Sequence, residues 1–365
     1  MKKLFLLLLI LLFFSLPAYA QGEISFSGED VSERYDVSAY IPEEVKRILM
    51  NNGIAVEDEI KDVDFISFVT VYIKSSLTKY GKLLFGALSV IILFAVFGNI
   101  NDNINSKMIF GFVFSLVISI HLVSVIGTAL EGCNELISSV RELLNVLLPS
   151  FTAVTLLGGG VLTAAIEASS FAAVIAFLEF LVTGVLTALV AIMTIFSLFE
   201  RFSAPLKDMA LSRSVKKYSM IVLTFITTVM LTVLSFQHII SARADSIATR
   251  SVKFASSSFI PLIGNAVGEA MRTVSQGASY LKSSVGYSSS IALFLWIFPY
   301  ICDLIALKLL LSFLSFASGS IGNSYASDTI DTTISSVDFL LAIIICVFIL
   351  SFLLVYLFSS VSFGI

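Results

Sequence analysis

Charged side chains set inside long apolar runs are the first residues here whose type and place suggest chemistry. Glu179 stands in Ala176-Phe177-Leu178-Glu179-Phe180-Leu181, and Asp303 and Lys308 stand in the apolar run 289–316, just after Pro299. An ionisable group at bilayer depth marks an ion or substrate path, or holds a helix bundle together by polar contact. Asp303 and Lys308 are five residues apart, about 140° around a helix, so they cannot pair along it. Each is expected to face a neighbouring helix or a wet cavity. His121 reads as a packing histidine. No reaction centre is legible: there is no Walker A loop, GxGxxG, HExxH or GxSxG. The glycine run 158–160 has no lysine after it. Two histidines are too few for a histidine-based metal site, and three cysteines form no CxxC pair. The reading is a non-enzyme with no cofactor and no metal.

Helix breakers give a second signal. Pro149 lies in Leu147-Leu148-Pro149-Ser150-Phe151 and precedes Gly158, Gly159 and Gly160. Pro261 lies in Phe259-Ile260-Pro261-Leu262-Ile263-Gly264 and precedes Gly268. Proline-broken apolar segments at matching places are the sequence pattern of re-entrant elements that line a cavity. They suggest an internal repeat, 108–198 and 219–316. Pro149 and Pro261 are therefore candidate path-lining residues.

Two amphipathic stretches accompany the breaks. In the first, Leu136, Val140, Leu143 and Leu147 form an apolar stripe. Glu135, Ser138, Ser139, Arg141, Glu142 and Asn145 fill the other side. In the second, Val267, Met271, Val274, Ala278, Leu281 and Val285 form the stripe, with Glu269, Arg272, Ser275, Gln276 and Lys282 off it. Such a helix rests its apolar stripe on a membrane interface, or turns its wet face to a cavity. Glu269, Arg272 and Ser275 on that wet face are candidate pore or interface residues.

The elements that must position these residues follow from composition. Of 365 residues, 57% are hydrophobic and 13% charged, and the mean hydropathy is +0.99. A soluble domain carries about 25% charged residues. A net charge of −4 without a basic tract excludes a nucleic-acid partner. The fold class is an all-α polytopic membrane protein of about six to seven transmembrane helices. Spans are read near 83–100, 108–130, 171–198, 219–240, 289–316 and 336–360, each close to the 20 residues a bilayer requires. The uncharged run 143–166 is either a seventh span or re-entrant.

The N-terminus has the order of a signal sequence: Lys2 and Lys3, the apolar run Leu4 to Phe14, then Ala18-Tyr19-Ala20. Cleavage is expected after Ala20. Residues 21–64 hold twelve acidic and four basic side chains. An interfacial helix over 65–82 then leads into the membrane domain 83–365. With the signal exported and 143–166 re-entrant, the basic loop 199–218 is expected on the cytoplasmic side.

Specific stretches carry a family resemblance. They are Thr249-Arg250-Ser251-Val252-Lys253-Phe254 running into Phe259 to Gly264, and Leu281-Lys282-Ser283-Ser284-Val285-Gly286. Tyr80-Gly81-Lys82, Leu148-Pro149 and Phe298-Pro299 add to it. The chain resembles the stage III sporulation protein AE family of endospore-forming bacteria. The resemblance implies a multi-pass subunit in the mother-cell membrane around the forespore. Its implied partners are ring-forming and membrane proteins of the same operon, a cytoplasmic secretion-type ATPase acting indirectly, and a forespore membrane protein. It implies a channel-like complex needed for late forespore gene expression, with no catalytic residues. A non-conducting scaffold and a stand-alone secondary transporter are the alternative readings.

Overall fold

The computed structural model describes residues 65–100, 104–202, 211–259 and 263–360, all within one unit, Ile41–Ile365. Seven α-helices follow one another, and no strand occurs among the described residues. They are α1 Phe65–Ile100, α2 Ile104–Leu157, α3 Val161–Phe180, α4 Leu186–Phe202, α5 Leu211–Phe259, α6 Ile263–Ser320 and α7 Ser324–Ser359. A short π-helical turn, Leu181–Val185, joins α3 to α4. Among the described residues, five helical stretches are long and apolar enough to cross a membrane. A sixth is α1, counted across a 55° bend between Tyr72–Lys82 and Leu84–Val96. The chain is thus an all-α polytopic membrane protein.

Two tight hairpins organise the fold, and both use the same turn. At the end of α2 the Gly160 N–H bonds the Thr155 carbonyl and the Gly159 N–H bonds the Leu156 carbonyl. At the end of α6 the Asn323 N–H bonds the Ser318 carbonyl and the Gly322 N–H bonds the Gly319 carbonyl. Gly159 and Gly322 each sit at φ 85°, the left-handed conformation that this C-terminal capping motif needs and that a Cβ would strain. Asn323 then caps α7 by accepting from the Ala326 N–H at 3.1 Å. The order helix, long helix, glycine turn, helix therefore occurs twice, first in α1–α2–α3/α4 and again in α5–α6–α7.

The expected break at Pro149 is not where the chain turns. α2 runs straight through Pro149, and reversal comes at Gly158–Gly160. A proline removes one hydrogen bond and kinks a helix; only the positive φ at Gly159 reverses it. The run 143–166 is accordingly neither one span nor a proline-centred dip. It is the closed end of the α2–α3 hairpin. The expected span 171–198 is likewise cut by the π-helical turn, where Gly184 sits at φ 109°. The expected signal sequence, residues 21–64, Pro261 and residues 203–210 of the basic loop lie outside the described residues.

The core is a continuous apolar contact running through all seven helices, including Ile137, Leu144, Phe171, Val190, Leu304, Leu307, Ile343 and Leu354. α6 and α7 approach closely at Gly286. A Cβ there would strike the Ser359 side chain, with the Ser359 Cα only 3.3 Å away.

Candidate functional site

Five helices meet in a polar layer beside the α2–α3 turn. Glu167 on α3 and Lys282 on α6 form an ion pair in which both side chains are fully buried. Thr155 on α2 donates to Glu167 Oε2 at 2.7 Å. On α5, Gln237 accepts from the Ser170 hydroxyl, and the Ser241 carbonyl accepts from Thr163 at 3.2 Å. On α7 the Ser359 carbonyl accepts from Ser283 at 3.3 Å. Rings cross the same layer: Phe151, Phe171, Phe358 and His238 follow at centroid distances of 5.6, 6.2 and 6.4 Å. Buried ions of this kind persist only when paired and hydrogen-bonded.

A second charged layer closes the other end. Asp338 on α7 receives Lys308 of α6 at 2.6 Å and Lys216 of α5 at 3.4 Å. Asp303 on α6 receives the Ser76 hydroxyl and, at 3.4 Å, Lys79 of α1. Between the layers, residues 218–242, 283–302 and 339–359 carry no Asp, Glu, Lys or Arg. Twenty residues rise about 30 Å, one hydrocarbon thickness. Exposed Tyr280 and Tyr287 flank one layer and exposed Tyr218 the other, as interfacial aromatics do. The outer face of α5 is apolar throughout this interval, with Ile221, Phe225, Val229, Val233 and Phe236 exposed.

α2 breaks that pattern. The Tyr300 hydroxyl of α6 donates to the Ala129 carbonyl of α2, and Thr155 of α2 sits at the Lys282 layer through Glu167. Residues 129–155 of α2 therefore lie beside residues 300–282 of α6, at the depth of the uncharged spans. Over that depth α2 exposes Glu131, Glu135, Glu142, Asn145 and Pro149, with Ser138 half-buried. The spacing i, i+4, i+7, i+11, i+14, i+18 is one helical stripe. Pro149 has no N–H for the Asn145 carbonyl, which adds an acceptor to the stripe. Arg141 and Glu179 pair beside it, linking α2 to α3. Among the described residues no three His, Cys, Asp or Glu side chains converge to hold a metal.

The expected residues thus divide. Asp303 and Lys308 do not pair with each other; each binds a neighbouring helix. Glu179 takes Arg141. Pro149 joins the exposed stripe. Glu269 and Arg272 lie on α6, but their side chains fall outside the described set, as does Pro261. Ser275 is a correction. In the second amphipathic stretch the faces are mixed: Ser275 and Lys282 from the expected wet side are buried, Val274 and Leu281 from the apolar stripe are exposed, and Ala278 of the stripe is buried. Against lipid, apolar side chains lose nothing by facing outward, and a lysine must face inward to find its carboxylate. Ser275→Trp should therefore overpack the bundle and sharply lower protein accumulation on an immunoblot, whereas Val274→Leu should leave it unchanged.

Glu167 and Asp338 escaped the sequence reading. Glu167 follows Ala164-Ala165-Ile166 and precedes Ala168-Ser169-Ser170. It directly follows the uncharged run that ends at Ile166, so it looked like that run's border. The test that singled out Glu179, an acid between apolar segments, also fits it.

Comparison with known proteins gives the family. The family model for stage III sporulation protein AE matches residues 45–362. A relative described as stage III sporulation protein AE, from Bacillus subtilis (strain 168), is 25% identical over 257 aligned positions, in a match that covers 67% of this chain. The match spans 62% of that relative's length. No solved structure matches. With the family model covering most of its length, this chain belongs to the stage III sporulation protein AE family, whose members are sporulation proteins.

Proposed function

We propose that the chain is a membrane subunit of a channel-like complex between mother cell and forespore, and that the α2 stripe from Glu131 to Pro149 lines its aqueous path. The observation that carries this reading is an exposed acidic stripe at the depth of three uncharged spans. Carboxylates facing lipid there are costly, so the stripe faces water or another protein. Rings of acidic side chains favour cations over anions, and a path walled by Glu131, Glu135 and Glu142 would do the same. Thr155 on Glu167, the Arg141–Glu179 pair and the Tyr300–Ala129 hydrogen bond hold α2 in register with α3 and α6, which such a wall requires.

The partners in this reading are ring-forming and membrane proteins of the sporulation operon, a secretion-type ATPase acting indirectly, and a forespore membrane protein. The site is the mother-cell-derived membrane. Deleting the gene should block sporulation after engulfment, lower late forespore reporter activity and leave vegetative growth unchanged. Normal late reporter activity in the deletion strain would overturn the proposal.

A further inference from the structure

α2 is longer than the membrane depth its acidic stripe occupies. That stripe runs from Glu131 to Pro149, and the same side of the helix continues toward the N-terminus without charge, since residues 108–130 hold no Asp, Glu, Lys or Arg. Ile109, Val113, Leu116, Ile120 and Val123 are all exposed there. They recur at steps of four, three, four and three. This is the a/d rhythm of a coiled-coil seam, with β-branched Val113 and Ile120 at the a positions and Leu116 at d. The opposite side of the helix, with Ile118, Leu122, Val125 and Ile126, is buried in the bundle. α1 packs beside the seam without covering it: a Cβ at Gly86 would strike the His121 ring, and Phe94 meets Phe114 at 5.7 Å.

Position along the helix decides what covers the seam. Ala129 is level with Tyr300, and Thr155 with the Lys282 layer. Ile109 lies 20 residues beyond Ala129, about 30 Å further along the axis, which is a second hydrocarbon thickness. Lipid around the uncharged spans 218–242, 283–302 and 339–359 does not reach it. A row of apolar side chains at that height gains by burial against another apolar face. The continuation of the stripe names that face. One helix supplies only one wall, and further copies of α2 around a common axis close the path proposed above. Such copies are related by rotation about the path, so their helices run parallel. The side of α2 that faces the axis at Glu135 faces it again at Ile120, where it meets the same side of its neighbour.

We propose that Ile109, Val113, Leu116, Ile120 and Val123 form a seam by which α2 packs in parallel against α2 of a second copy; the choice of occupant rests on reading Glu131 to Pro149 as a path wall. The apolar seam draws the copies together at one end. Like charges on Glu131, Glu135 and Glu142 hold them apart at the other. The assembly thus narrows from a wet acidic chamber to a dry neck.

The test uses the full chain with Cys133, Cys302 and Cys346 replaced by serine, in membranes of sporulating cells. Ile120→Cys, oxidised with copper phenanthroline, is expected to give a disulfide-linked dimer on a non-reducing gel. Phe225→Cys, on the exposed apolar face of α5, is expected to stay monomeric. In mild detergent the purified wild type should be an oligomer by light scattering, and Val113→Glu/Ile120→Glu should be a monomer of unchanged helix content. An unlinked Ile120→Cys, or a double variant that stays oligomeric, would overturn the seam. So would a nitroxide at Ile120 as accessible to oxygen as one at Phe225, which would make lipid the cover. The path reading fails separately. A linked Ile120→Cys beside a Glu142→Cys that resists a water-soluble thiol reagent would keep the seam and remove the path; an unlinked Ile120→Cys beside a labelled Glu142→Cys would keep the path and remove the seam.

Discussion

Glu167→Leu alone is expected to destabilise the purified protein by about 3–5 kcal/mol, because it removes the carboxylate paired with the fully buried Lys282 ammonium. Lys282→Met should cost a similar amount by removing the buried cation paired with the carboxylate. The double variant Glu167→Leu/Lys282→Met should recover most of that loss, since it removes both desolvation costs and leaves apolar side chains of similar bulk. Urea or thermal unfolding in mild detergent measures all four proteins of the cycle. Full additivity, with the double variant as damaged as the two single losses combined, would show that Glu167 and Lys282 do not depend on each other. The large expected size follows from burial, since both side chains are completely enclosed. Exposed pairs such as Lys79–Asp303, with the lysine 54% exposed, should contribute well under 1 kcal/mol.

Much of this architecture was legible because bilayers impose length and polarity rules that composition reveals directly. Apolar runs of about 20 residues placed most of the helices, and in the first amphipathic stretch Val140 and Leu147 are buried while Glu135, Glu142 and Asn145 are exposed. The second stretch, from Val267 to Val285, has a similar rhythm, but Ser275 and Lys282 turn inward while Val274 and Leu281 turn outward. Periodicity fixes which residues share a face; it does not say which face meets lipid. That was decided by Lys282, whose partner lies 115 residues away on α3. The hairpin turns were missed for a different reason. Pro149 is the more conspicuous breaker, yet a helix tolerates it, whereas Gly159 and Gly322 supply a dihedral angle that no side chain advertises. Glu131 completes the acidic stripe but was invisible as such. It lies directly after a run read as a span, and only the Ala129–Tyr300 contact places it at membrane depth.

The second large effect concerns that stripe. Glu135→Lys combined with Glu142→Lys should lower late forespore gene expression by roughly tenfold or more, since a barrier raised by only about 1.4 kcal/mol slows passage tenfold. Both side chains are exposed, so protein level and membrane insertion should stay normal. Val229→Leu, on the lipid-facing side of α5, should have no effect on expression. A forespore reporter fused to a late promoter, read beside an immunoblot, separates a blocked path from a lost protein. Full reporter activity in the double variant would mean that these charges face neither solute nor partner.

The central claim is that the stripe is wet at membrane depth in the assembled complex. Cys133, Cys302 and Cys346 are free and are first replaced by serine. Single cysteines are then placed at Glu135, Glu142 and, as a lipid-facing control, Val229. A charged, membrane-impermeant thiosulfonate is applied to complexes isolated from sporulating cells. The stripe reading predicts modification at both glutamate positions and none at Val229. Protection of Glu135→Cys and Glu142→Cys in the complex, with the same positions reactive in the isolated subunit, would contradict the conduit and make the stripe a contact surface of a scaffold.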